Sequence, residues 1–313
     1  MTNAKSIPLS AYELRDAVRT GQKVDVSRLD RILRPEDSRG VIELQAGVTW
    51  KAVANLLRPG DGESEAASLR ATMRTIGESI ASNTAGPDGL PVVAHVESLT
   101  MITPEGELRR IDRLANGSLF SLVVGGHGLF GTLYSATLRV NSLVRSADDT
   151  IRSQAPGAGA SAADTLQLLI PPQALERFVS EAQARCADWR VGIEAVNTRN
   201  TLREEETFLR WARRSYTEVG LRLAGLSTIG GAVRATQLRR ELVDAAISAG
   251  GSFSIARTVD ATRAQVEACY PELPSFLAEK RRIDPNEKLI NAWYLHYRSL
   301  LGRGSCETRW NQA

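Results

Sequence analysis

The chain has 313 residues, 42% of them hydrophobic and 24% charged, which is typical of a soluble globular protein with room for two domains. The formal net charge is only +3, and basic and acidic residues are interspersed. A nucleic-acid-binding surface would show a basic stripe, so the composition argues against that class of partner. No apolar run approaches the ~20 residues that a membrane span needs. We therefore expect a cytoplasmic protein without a membrane span.

Three cysteines, Cys186, Cys269 and Cys306, lie far apart and lack the spacing of metal ligands. The first two lie in helical patterns with apolar neighbours, which predicts buried free thiols. The sequence contains no Ser-His-Asp order and no His-Glu-x-x-His motif, so hydrolase and metal functions have no support. We predict no metal site.

The first half of the chain alternates between helical and strand patterns. Ser10, followed by Glu13 three residues later, predicts the capping-box start of a helix that Gly21 ends. Alternating apolar residues predict strands. In chain order, we expect a helix over 10–20, a short strand and a turn within 23–33, a strand over 40–45, a helix over 50–57 and a strand over 132–140.

Two glycine-rich blocks lie between the last two of these elements. The first reads Thr75-Ile-Gly-Glu-Ser-Ile-Ala-Ser-Asn-Thr-Ala-Gly86, and the second begins Val124-Gly-Gly-His-Gly-Leu-Phe-Gly131. Because glycine has no Cβ, the N–H groups of such turns can converge on a phosphate. From Gly126 the order is Gly-x-Gly-x-x-Gly, but a strand follows where a dinucleotide-binding fold requires a helix. The alternative is a tight turn system that serves folding alone.

The second half begins after a change in composition. Residues 141–163 are rich in serine, alanine, glycine and aspartate, which predicts a linker. Strand and helix patterns then alternate, as in an α+β sandwich. We expect strands over 165–170, 190–197 and 252–258 and helices over 173–187, 231–248 and 263–269, whereas 208–217 fits either a strand or a helix.

Several segments together resemble the FAD-linked oxidases, flavoproteins of the vanillyl-alcohol-oxidase type with a PCMH-type FAD-binding domain. Besides the glycine blocks, these segments are residues 25–33, the Glu-x-x-Ala-Gly-Val-x-Trp element within 41–53, Tyr270-Pro, Phe276-Leu-x-x-Lys280-Arg-Arg-x-Asp284-Pro and Leu289-x-Asn291. The likeness covers nearly the whole chain in the right order. It is nearest the branch that contains alditol oxidases and decaprenyl-ribose oxidases.

The resemblance implies an α+β fold: a two-subdomain PCMH-type FAD-binding domain over 1–142, a linker over 143–163 and an α/β-sandwich substrate domain over 164–313. Its C-terminal segment would return to the FAD domain. The implied FAD contacts are Thr75, Gly77, Ser79, Ser82, Asn83 and Gly86 along the flavin and diphosphate, and Gly125, Gly126, Gly131 and Leu133 at the adenosine end.

The chemistry implied by this family is hydride transfer from a substrate carbon to the flavin, so the cofactor carries the difficult step. Arg257 aligns roughly with a lysine that reaches flavin and substrate in the decaprenyl-ribose oxidases. A guanidinium supplies positive charge there but is no base at neutral pH. An arginine on a solvated strand face is the equally weighted alternative.

The chain also departs from the family pattern. The family carries a glycine-rich phosphate loop after the first helix, where this chain has only Gly21-Gln22-Lys23, so the N-terminal subdomain is predicted to be abbreviated. Glu78 replaces a glycine, and a carboxylate near a diphosphate would repel it. Because the histidine that some relatives attach to flavin falls in the absent loop, any FAD is expected to be non-covalent.

The three histidines are better explained by structure than by chemistry. His95 opens a predicted strand, and His296 lies in the aromatic cluster Trp293-Tyr-Leu-His-Tyr297, for which core packing is favoured over a substrate pocket. His127, between glycines, is more consistent with a turn than with a ligand contact.

The sequence leads to two functional hypotheses. The first is an FAD-dependent oxidoreductase that oxidises a hydroxyl group of a small polyol- or sugar-like substrate. The second is a cofactor-less member of the family that serves as a scaffold or partner subunit. A partner protein chain that supplies the absent loop is a third possibility.

Overall fold

The computed structural model describes residues 7–35, 40–57, 74–86, 89–139, 165–223, 229–256 and 260–302. The chain divides into two compact units. Unit 1 comprises Met1–Arg152, Glu204–Leu209 and Ser275–Asn291, and unit 2 comprises Ser153–Arg203, Arg210–Pro274 and Ala292–Ala313. The predicted linker over 143–163 lies outside the described residues, so its place as a domain boundary stays a prediction.

Unit 1 is built on a five-stranded antiparallel sheet in the order β1-β2-β5-β3-β4. Its strands are β1 (Ile32–Arg34), β2 (Val41–Gln45), β3 (Val96–Ile102), β4 (Leu108–Asp112) and β5 (Thr132–Arg139). Its helices are α1 (Ala11–Arg19), α2 (Trp50–Leu57), α3 (Ile76–Ser82) and α4 (Gly117–Val123), with 3-10 turns at Val26–Arg28 and Val92–His95. Helices and an antiparallel sheet together make an α+β fold, as the sequence predicted.

Helix α1 shows how the sequence sets its own ends. The Ser10 side chain accepts the Glu13 N–H at 3.2 Å, and the Glu13 carboxylate accepts the Leu9 N–H at 2.8 Å, one residue before the predicted capping-box partner. After α1, Gly21 takes φ +69, a left-handed value that favours glycine and turns the chain out of the helix.

The inner face of α1 forms a small core. Leu14 and Val18 pack with Leu29 and Ile102, all at most 2% exposed. Each such side chain contributes roughly 1.5–3 kcal/mol when it leaves water. The core ties α1 to the sheet, because Ile102 ends β3.

Unit 2 is a four-stranded antiparallel sheet with helices. The sheet order is β7-β8-β6-β9. Its strands are β6 (Thr165–Ile170), β7 (Ile193–Thr201), β8 (Tyr216–Leu223) and β9 (Ser252–Phe253). Its helices are α5 (Leu175–Asp188), α6 (Ile229–Ser248), α7 (Arg263–Cys269) and α9 (Ala292–Gly302), and α8 (Leu273–Ile283) leads from unit 2 into unit 1.

Three predicted elements were misplaced. The predicted strand over 252–258 ends at Phe253, because the Ile255 main chain bonds to side chains: its N–H to the Tyr270 hydroxyl at 3.3 Å, and its carbonyl to Trp293 Nε1 at 3.1 Å. Residues 208–215 form neither helix nor strand, and β8 begins at Tyr216. His95 ends a 3-10 turn instead of opening a strand, although it is buried.

The prediction for the cysteines is confirmed for two of the three residues. Cys186 and Cys269 are buried free thiols, as predicted, whereas Cys306 lies outside the described residues. Within the described ranges, no helix is long and apolar enough to cross a bilayer. Among the same residues, no group of three His, Cys, Asp or Glu side chains could hold a metal ion.

Candidate functional site

The first glycine block folds into helix α3. Thr75 is its N-cap: the Thr75 hydroxyl accepts the Glu78 N–H at 3.1 Å, and the Glu78 carboxylate accepts the Thr75 N–H at 3.0 Å. This is a reciprocal capping box. The Glu78 carboxylate therefore satisfies a backbone N–H group at the start of α3.

Gly77 packs α3 against Ala46, the residue that follows β2. Its N–H donates to the Ala46 carbonyl at 2.8 Å, and a Cβ on Gly77 would lie 3.0 Å from that oxygen. The absence of a side chain here allows one segment of backbone to approach another. Gly77 thus serves the packing of unit 1.

Polar groups of Ser79, Ser82 and Gly86 are also bound within the chain. Ser79 is 1% exposed and accepts the Trp50 indole N–H at 2.8 Å. The Ser82 hydroxyl donates to the Glu78 carbonyl at 2.7 Å, and the Gly86 N–H donates to the Leu90 carbonyl at 2.6 Å.

The two glycine blocks meet at the C-terminal end of α3. The Gly125 N–H donates to the Ile80 carbonyl at 2.9 Å, and the His127 N–H donates to the Ala81 carbonyl at 2.8 Å. Gly125 and Gly128 adopt φ values of +74 and +73, where glycine is favoured. The turn therefore closes the carbonyl end of α3 and brings residues 80–83 beside residues 125–128.

Two further glycines of the second block are enclosed by protein. A Cβ on Gly126 would lie 2.0 Å from the Leu122 carbonyl oxygen, and one on Gly131 would lie 1.9 Å from Met101 Cε. Leu133 is half-buried on β5 and pairs with Met101 of β3. These positions are set by the sheet and by α4.

Asn83 lies at the centre of this junction. It ends α3 with φ +45 and is fully buried. Its Oδ1 accepts the Val93 N–H at 3.0 Å, and its Nδ2 donates to Glu204 Oε1 at 3.4 Å. Glu204 itself is 6% exposed. A buried carboxylate thus faces a residue of the predicted cofactor set.

His127 is the titratable group of the glycine turn. It adopts φ +53, and its carbonyl accepts the Asn291 side-chain N–H at 2.8 Å. Burial lowers the pKa of His127 to about 4, because the charged imidazolium loses solvation. The ring is therefore neutral at pH 7, and its backbone forms a turn, as the sequence favoured.

We expect His127→Asn to make the protein less sensitive to acid. The pKa of His127 is lower in the folded than in the unfolded state. Protonation of His127 therefore leaves the free energy of unfolding unchanged above pH 6.5 and lowers it as the pH drops from 6.5 towards 4. For a half-buried ring we expect a loss of about 1 kcal/mol between pH 7 and 5. Denaturant unfolding at several pH values measures this loss of stability. Asparagine is chosen because it tolerates the left-handed backbone. An NMR titration of His127 with a midpoint near 6.5 would contradict this.

Part of this fold matches a known protein family. Residues 10–112 match the family model of an FAD binding domain. The match supports a PCMH-type FAD-binding domain and suggests an FAD-dependent oxidoreductase. It includes the first glycine block and covers less than half of the chain. None of the curated proteins compared with the chain matches it.

The two glycine blocks fit FAD only in part. Gly128 leaves open space, since a Cβ there would meet nothing within 4 Å. By contrast, the N–H groups of Thr75, Gly77 and Gly86 are already bound within the chain. The first block, as folded, therefore offers no set of converging donors to a diphosphate.

Sequence analysis did not identify Glu204, and the structure does not test the prediction for Arg257. Glu204 lies in an Arg-Glu-Glu-Glu-Thr run that is typical of a solvated surface, so no sequence signal distinguishes it from its neighbours. Arg257, the predicted catalytic cation, lies outside the described residues. The structure brings together Ser82, Asn83, Gly125 and His127, while Gly131 and Leu133 lie in the sheet region.

Proposed function

We propose that the chain is an FAD-dependent oxidoreductase of the FAD-linked oxidase type. It would oxidise a hydroxyl group of a small polyol- or sugar-like substrate and hold FAD non-covalently. The observation that carries this proposal is the match of residues 10–112 to an FAD binding domain. The meeting of the two glycine blocks at the end of α3 supports it.

When bound, FAD would supply the hydride acceptor. The chain's own contribution is a rigid junction at 80–83 and 125–128, which hydrogen bonds from Gly125 and His127 fix in place. The neutral imidazole of His127 adds no charge there at pH 7. Arg257 is proposed as the cation that favours negative charge on the reduced cofactor.

A specific observation favours the second candidate, a cofactor-less scaffold or partner subunit. Only Thr20–Asp25 separate α1 from the following 3-10 turn, and we interpret this short connection as the absence of the family's phosphate loop. A lost hydrogen bond to a charged phosphate weakens binding by about 1.5–3 kcal/mol. Several such losses would bring FAD affinity below a useful level unless a partner chain supplies the loop.

The visible spectrum and an FAD titration decide between these candidates. We expect the purified protein to carry or take up FAD, with flavin absorption that bleaches when a polyol or sugar from a panel is added anaerobically. Competition by ADP would show whether the adenosine end is bound. A colourless protein that fails to quench FAD fluorescence would overturn the first candidate, and recovery of FAD binding with a co-purified chain would support a partner.

A further inference from the structure

The segment Glu204–Leu209, here called the 204–209 strap, belongs to unit 1 although its neighbours in sequence belong to unit 2. The Phe208 N–H donates to the Ser121 carbonyl at 2.8 Å, and the Phe208 ring lies 6.0 Å from that of Phe276. Glu206 forms an ion pair with Arg113. The strap therefore has fixed contacts with α4 and α8.

The buried group of this strap is the carboxylate of Glu204. Its Oε2 accepts the N–H groups of Glu206 at 2.8 Å and Thr207 at 3.0 Å, and its Oε1 accepts the Thr207 hydroxyl. A buried charge is costly unless hydrogen bonds satisfy it, and these three donors hold the carboxylate in one position. The fourth donor, Asn83 Nδ2, comes from outside the strap.

The Glu204 carboxylate and the Val93 N–H together determine how the Asn83 amide is oriented. An ionised carboxylate only accepts hydrogen bonds, so the Asn83 nitrogen must face Glu204 and its oxygen must face the Val93 N–H. A Cβ on Gly125 would lie 3.3 Å from Asn83 Cβ, so the two residues pack directly together. The position of Asn83 therefore limits the position of the glycine turn.

From these contacts we propose that Glu204 is a positioning residue that acts through Asn83 on the junction between the two glycine blocks. The carboxylate fixes the Asn83 amide, and Asn83 holds Gly125 against the carbonyl end of α3. This inference rests on the proposed function only in assigning the junction to FAD. The positioning itself is independent of the cofactor.

The test uses the whole chain with the substitution Glu204→Gln. Glutamine has the same size, but its NH2 group would face the hydrogen-bond donors that surround the carboxylate. Glu205→Gln, on the same strap, is the matched control. Glu205 is exposed, and the interactions of exposed charges contribute little, so its substitution should change exchange at the junction far less than Glu204→Gln does. Hydrogen exchange is followed on peptides covering 75–90 and 118–132. For Glu204→Gln we expect exchange at Gly125 and His127 to rise about tenfold or more, with α1 unchanged and Glu204→Asp partly restoring protection.

A second variant covers the case in which Glu204→Gln does not fold. Asn83→Gly tolerates the left-handed backbone and removes the amide, so it should give the same local exchange. In the double variant the two effects should not add. Equal exchange in the Glu204 and Glu205 variants, or a uniform rise over the whole chain, would overturn the positioning role.

FAD titration of the same variants separates this inference from the proposed function. We expect Glu204→Gln to weaken FAD binding about tenfold and to shift the flavin absorption, with Glu205→Gln matching the wild type. If the wild type binds no FAD, the proposed function fails, and the exchange comparison still decides the role of Glu204. If FAD binds equally to all variants, the assignment of the junction to FAD fails and the proposed function stands.

Discussion

Lys280→Met is expected to lower the free energy of unfolding by about 3–5 kcal/mol, because it leaves a buried carboxylate without its cation. Lys280 and Asp284 form an ion pair one turn apart on α8 and the segment after it, with side chains 0% and 1% exposed. Asp284 also accepts the N–H groups of Lys288 at 3.0 Å and Leu289 at 2.8 Å. The pair therefore fixes the turn that follows α8.

The pH dependence gives this prediction a second readout. Burial alone would raise the pKa of Asp284, but hydrogen bonds from Lys280, Leu289 and Lys288 outweigh it and hold the pKa below the ordinary value of 3.8. The contribution to stability is thus complete above pH 3.8 and is lost as the pH falls through the folded-state pKa. Without Lys280 the carboxyl protonates more readily. The difference in the free energy of unfolding between the wild type and Lys280→Met should therefore become smaller at acidic pH.

Denaturant unfolding measures both effects, and Arg282→Met is the matched control. Arg282 pairs with Glu279 on the same helix, but its side chain is 68% exposed. Exposed pairs contribute about 0–1 kcal/mol, so the control should stay near the wild type. Equal stability losses in the two variants would show that burial of the Lys280 pair has no special effect.

Gly126→Ala is expected to destabilise unit 1 by about 3 kcal/mol, because the new methyl group has no room. Its Cβ would lie 2.0 Å from the Leu122 carbonyl oxygen and 3.0 Å from the Phe130 ring. The first of these is backbone of α4 and cannot move as a side chain could. The variant distinguishes a glycine required for packing from one required by a ligand.

Gly117→Ala is the control for this substitution. Gly117 begins α4, and a Cβ there would meet nothing within 4 Å. Alanine favours the helix and reduces the freedom of the unfolded chain, so we expect a change of about 0.4–1 kcal/mol in the stabilising direction. Thermal and denaturant unfolding compare the two. If Gly126→Ala keeps full stability and loses only FAD binding, the packing explanation is wrong.

Elements with strong local signals were predicted closely from the sequence. The helices Trp50–Leu57 and Arg263–Cys269 and the strand Thr165–Ile170 occur with the predicted bounds, because caps and alternation are local properties. The end of β9 was missed because the hydrogen bonds that stop it come from Tyr270 and Trp293, which lie well beyond it in sequence. Tertiary contacts of this kind leave no periodic signal.

The candidate site likewise combines features that the sequence predicts with features that depend on tertiary contacts. The density of glycine in the two blocks was visible in the sequence, and so was the alternative that they serve folding. Only the space around each Cα separates these explanations: it is filled at Gly126 and open at Gly128. The contact between Glu204 and Asn83 joins residues 121 positions apart, so no spacing rule could have predicted it.

Unit 1 is built from three separate segments of the chain, and this affects how it folds during synthesis on the ribosome. The unit needs Glu204–Leu209 and Ser275–Asn291 in addition to its N-terminal part, and Lys280, Asp284 and Asn291 all belong to the last segment. Domains usually fold in order as they emerge, N-terminal first. Here the N-terminal unit cannot be completed until residue 291 has left the exit tunnel, so it cannot finish folding before most of unit 2 has been synthesised.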